Sequence, residues 1–186
     1  MSHYASGESP YSGRPAGRAP TVAYSTDEWK LLIRLPGRVL VAATSPEPAS
    51  PRHAVLEGLA GLEGIAAGRA FDSDLVRAVV VAIYAEPDNT PLDVQPDNGP
   101  FDGGPHAGRR DRLAGLLLSC QAAVEVLADR ADPADSAAYR QWVQSVAARV
   151  RRAAHPVDAH LGTSGEWVPG IDGGFLGRLG TALGLR

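Results

Sequence analysis

Leu113, Leu116, Leu117, Cys120, Val124 and Leu127 fall on one side of the chain only if the backbone turns once every 3.6 residues. The segment is therefore predicted to be a helix, with Cys120 turned into a core. Asp132-Pro133 follows as an N-cap with proline at the first helical position, and opens a second helix carrying Tyr139, Trp142, Val143, Val146 and Val150 at the same period. Arg149, Arg151 and Arg152 lie near its end, where positive charge complements the macrodipole.

The first half carries the same period. Ser25-Thr-Asp-Glu28 has the form of a capping box and precedes Trp29, Leu32, Leu35, Val39 and Ala43, with Pro36 predicted to kink or break that helix. Ser50-Pro51 opens a helix whose apolar positions are Val55, Leu56, Leu59, Leu62 and Ala66, with Gly68 placed to end it. Asp72 is predicted to cap a third segment with Leu75, Val76, Val79, Val80 and Ile83. The β-branched run there makes a strand the competing reading, but the spacing favours a helix. A closing segment from Ile171 to Leu185 puts Ile171, Phe175, Leu179 and Leu183 on one face. Its glycines are predicted to serve as close-approach faces, Gly173 with Gly177 and Gly180 with Gly184.

Two stretches lack any apolar period. Residues 1–24 alternate glycine and proline among serines and tyrosines, so burial cannot offset the entropy of ordering them, and a disordered tail is expected. Residues 86–108 hold Pro87, Pro91, Pro96, Pro100 and Pro105 with several acids, as a long loop would. The expectation is all-α: five to seven helices in two loosely related halves, 25–85 and 109–186, forming one bundle-like domain.

Charge and composition remove several functional classes. The net charge of -3 provides no basic field for nucleic acid. There is no run of about 20 apolar residues to span a bilayer, and residues 1–24 have no apolar signal segment, so the expected compartment is the cytoplasm, without membrane partners. A single cysteine excludes an intrachain disulfide and fits a reducing compartment.

From Asp132 onward the order Tyr139, Trp142, Val146-Ala147, Gly162, Gly165, Val168, Leu176, Leu179 and Ala182-Leu183-Gly184 resembles an uncharacterised actinobacterial all-helical family. More distantly it is similar to the tellurite-resistance TerB-like domains, some members of which hold metal on acidic positions. The resemblance covers about the last third of the chain, with an echo in Trp29 to Ala43. It implies a helical fold. Where those domains have an Ala-Asp-Gly turn this chain has Ala43-Thr-Ser-Pro-Glu47-Pro, and Asp172-Gly-Gly stands where a glutamate would open the closing helix. The metal positions are therefore not present as a set, and none is carried across.

The chemistry-bearing residues point in three directions. His155, Asp158 and His160 are donors of the right type for a divalent metal, although Pro156 breaks helical spacing and the order matches no zinc signature. Trp29, Trp142 and Phe175 could line a pocket for an apolar small molecule; aromatic residues at helical spacing also make an ordinary core. No nucleophile elbow or phosphate loop is present. The preferred reading is a non-enzymatic cytoplasmic binding or stress-associated protein with a protein or small-molecule partner. A metal-dependent protein or enzyme and an apolar-pocket protein are the alternatives, and assembly as a homo-oligomer stays open.

Overall fold

The computed structural model describes residues 24–45, 50–85, 108–154 and 172–185. Six α-helices account for most of them: α1 (Thr26–Ala43), α2 (Pro51–Ala66), α3 (Asp74–Ala85), α4 (Arg109–Arg130), α5 (Pro133–Ala154) and α6 (Asp172–Ala182). There is no strand among the described residues, so the chain is all-α as expected. Of the expected tail at residues 1–24 and the expected loop at 86–108, residues 1–23 and 86–107 lie outside the described residues, as does Ile171, whereas Tyr24 is described and stacks on Trp29.

Local chemistry sets most helix starts. Glu28 N–H donates to Ser25 Oγ at 3.2 Å and Ser25 N–H to Glu28 Oε2 at 2.6 Å, completing the capping box. That backbone hydrogen bond, with Arg130 nearby, holds the Glu28 carboxyl below its ordinary value. Ser50 Oγ accepts from His53 N–H, and Asp132 Oδ1 accepts from Ala134 N–H, as the sequence implied. The third start differs. Ser73, not Asp72, accepts from Val76 N–H at 3.2 Å, because its hydroxyl is buried and also donates to Asp135 Oδ1 at 2.7 Å on α5. The dense valines of α3 adopt the helical reading, with Leu75, Val76, Val79 and Val80 buried.

Helix α5 is the hub. It packs against each of the other five, so elements from both sequence halves share one core. Tyr139, Trp142, Val143, Val146, Ala147 and Val150 are all fully buried along it. Tyr139 and Trp142 meet edge to face with centroids 5.8 Å apart. Helix α4 adds Leu116, Cys120, Ala123 and Leu127, α6 adds Leu179 and Ala182, and Leu183 follows just past the end of α6.

Pro36 does not break α1, which runs through it, and the proline is buried. Proline has no N–H for the carbonyl four residues back, so Leu32 O loses its helical donor. The buried Tyr139 hydroxyl replaces it, donating to Leu32 O at 2.8 Å. This accounts for a phenol held dry in the core, where burial pushes its pKa well above the ordinary value. Tyr139→Phe is expected to cost about 1–2 kcal/mol in denaturant unfolding, because it leaves that carbonyl unpaired. In a Pro36→Ala background, where a backbone donor returns, the same change should cost much less. Equal losses in both backgrounds would refute the link.

The closing helix ends in a Schellman motif. Leu185 N–H donates to Gly180 O at 2.8 Å and Gly184 N–H to Thr181 O at 3.0 Å, with Gly184 at φ 64°. The close-approach expectation for the α6 glycines is met in part. A Cβ on Gly180 would meet Gln144 Nε2 at 2.9 Å, whereas one on Gly177 would meet nothing within 4 Å.

Candidate functional site

Helix α2 lies the other way round from the expected amphipathic arrangement. One period, Glu57, Gly61, Gly64 and, just past the helix, Gly68, faces the bundle and is buried. The opposite period carries the apolar residues. Val55 is 61% exposed, Leu56 52%, Leu59 51% and Leu62 45%. Ile65, buried at the edge of the inward face, is the aliphatic residue of α2 that joins the core.

The inward face is explained by backbone proximity. A Cβ on Gly64 would lie 3.1 Å from Val146 Cα, one on Gly68 would lie 2.7 Å from the Trp142 ring and from Val80 Cγ2, and one on Gly61 would overlap the Leu40 side chain. Only glycine allows α2 to settle this closely on α5. The approach brings Gly64 O within 3.1 Å of the Trp142 indole N–H, which donates to it. Past Ala66 the backbone tightens into a 3-10 turn, Ala67–Ala70, instead of stopping at Gly68, so the glycine seam continues onto Trp142.

Glu57, 1% exposed, belongs to the same face. Its Oε2 accepts from Ser45 N–H at 2.6 Å, just beyond the end of α1, where the Arg151 guanidinium also reaches Ala43 O at 3.5 Å. A carboxylate at this position satisfies a donor past the helix end that a leucine would leave unpaired.

The outward face is a stripe with charged ends. Arg52 and Glu63, both exposed, fall on the same side of α2 as Val55, Leu56, Leu59 and Leu62 at 100° per residue. Arg52 is at the N-terminal end and Glu63 towards the C-terminal end. The positions Val55, Leu59, Leu62 and Ala66 are spaced 4-3-4, the interval of a helix-pairing seam. The glycine period was visible in the sequence as Gly61, Gly64 and Gly68 running in phase with Glu57, and it would have revealed the buried face had small residues been weighed against large ones.

The residues singled out from sequence are distributed as follows. His155, Asp158 and His160 lie outside the described residues; among the described residues no three histidines, cysteines or acids gather to hold a metal. Trp142 is fully buried beneath α2, Trp29 is partly buried and stacked on Tyr24 at 5.8 Å, and Phe175 packs partly buried against the core from α6. None of the three lines either of two open grooves found among the helices. The larger, about 540 Å³, runs between α4 and α6 along Leu117, Gln121, Gly177, Arg178 and Thr181. The smaller, about 240 Å³, lies by Val124, Ala128, Pro133 and Arg140. Cys120 is a core residue: burial pushes its thiol up to about 12, with Arg38 opposing, which leaves it a poor nucleophile. No described helix is long and apolar enough to cross a membrane. No family model, curated protein or solved structure matches the chain.

Proposed function

We propose that this chain is a non-catalytic cytoplasmic binding protein whose docking surface is the outer face of α2. The observation that carries this reading is the stripe Val55, Leu56, Leu59 and Leu62, four aliphatic side chains about half in water on one helix face. Fully burying such a side chain is worth about 1.5–3 kcal/mol, so each forgoes about 1 kcal/mol in the isolated fold. Scattered exposed leucines are ordinary, whereas an aligned row flanked by charges has the form of a helix-in-groove or helix-pair contact. The lone, buried cysteine suits a reducing compartment.

Leu59→Glu in dilute protein tests the reading. Because about half of the Leu59 side chain is already out of water in the isolated fold, the unfolding free energy should fall by no more than about 1 kcal/mol. Fluorescence of an apolar-surface dye bound to the native protein should fall by about half. A loss of more than about 2 kcal/mol, with unchanged dye fluorescence, would mean that the chain covers this face itself and would remove the proposal.

A further inference from the structure

We propose that the occupant of the α2 face is a second copy of the same chain, the two α2 helices packing antiparallel about a twofold axis near Leu59. The inference rests on the docking reading above and assigns its partner. Two observations favour self-pairing. The first is period: Val55, Leu59, Leu62 and Ala66 recur at 4-3-4, so the stripe stays in phase with another helix of the same sequence over the length it offers.

The second is charge. Arg52 and Glu63 occupy opposite ends of the same exposed face. Parallel pairing would set Arg52 against the partner's Arg52 and Glu63 against the partner's Glu63, both repulsive. Antiparallel pairing centred near Leu59 brings Arg52 to within about one helical turn, ~5 Å along the axis, of the partner's Glu63. Both side chains can span that offset. The twofold axis generates the same contact at the other end, which is the self-complementarity an isologous interface requires. Glycines 61, 64 and 68 support this geometry indirectly, since by seating α2 tightly on α5 they hold the helix as a rigid ridge.

The contact is short, a single pair of four-turn helices, so the dimer should be weak, dissociating on the order of tens of micromolar. Sedimentation equilibrium on the full chain from about 1 to 500 µM tests it, with circular dichroism confirming that each variant is folded. Wild type is expected to move from monomer to dimer and Leu59→Glu to remain monomeric. Arg52→Glu and Glu63→Arg should each weaken association by about tenfold, one lost and one repulsive contact per end. The double reversal Arg52→Glu with Glu63→Arg should restore it, because the antiparallel pairs are re-formed with their signs exchanged. A parallel dimer would leave the double reversal no better than the single variants, and a dimer insensitive to Leu59→Glu would use another surface; either result overturns the proposal.

A wild type monomeric throughout the range also overturns it, and a Leu59→Cys variant then separates the two readings. If the introduced thiol reacts with a maleimide at the rate of an exposed cysteine, self-pairing has failed while the face remains open for another protein. A protected thiol in the monomer would mean that the docking reading has failed as well.

Discussion

Trp142→Ala should unfold about 3–5 kcal/mol more easily than wild type, with a midpoint lower by on the order of 10 °C. The indole is fully buried, donates to Gly64 O at 3.1 Å, meets Tyr139 edge to face, and stands against Gly68 where the glycine seam leaves α2. Truncation therefore removes core volume, a buried hydrogen bond and the surface that seats the end of the seam. The loss should be local before it is global. Hydrogen exchange in α2 should accelerate more than in α4, which packs mainly on α1 and α6. Trp142→Phe keeps most of the apolar contact and removes the indole N–H, so it should recover about half of the loss. A change below about 1 kcal/mol for the alanine variant would show that the seam does not depend on this ring.

Gly68→Ala should be the most damaging single methyl in α2 and the turn that extends it, costing about 2–3 kcal/mol in denaturant unfolding. Its Cβ would stand 2.7 Å from Trp142 Cε2 and Nε1 and from Val80 Cγ2, atoms of a rigid buried ring and a β-branched side chain with no free end to swing away. Gly58→Ala is the control. Nothing lies within 4 Å of a Cβ there, so the same substitution about three turns earlier should stabilise by about 0.5–1 kcal/mol through helix propensity. Opposite signs for the two variants would establish which face of α2 is inside without reference to any other measurement. If both stabilise, the buried glycine face is wrong, and with it the exposed apolar stripe.

Together these experiments separate what holds α2 in place from what α2 displays. The inward face is fixed by close backbone approach, one indole hydrogen bond and the Glu57 carboxylate at Ser45 N–H. The outward face is only about half buried, so substitutions there should leave the protein folded. That independence makes the binding proposal testable by surface substitution.

Much of the architecture was readable from residues a few positions apart. Helix starts at Ser25, Ser50 and Asp132 and the buried face of α5 depend on caps and a 3.6-residue period, which act over about one turn and are written in consecutive residues. The candidate site was not readable in that way. Helix α2 contains two stripes in opposite phase, one of leucines and one of glycines with Glu57, and amphipathicity alone selects the leucines. The choice falls to the glycines because Leu40, Val146 and Val150 stand within 3.1 Å of where a Cβ on Gly61 or Gly64 would sit, and because Trp142, 78 residues beyond Gly64, supplies a donor to its carbonyl. For the same reason Tyr139 completes the α1 helix at Leu32 O, and Ser73 displaces Asp72 as a cap by reaching Asp135. Period and capping are local properties of a chain, whereas the side a helix turns inward depends on the shape and hydrogen-bonding groups of a surface built from residues distant in sequence.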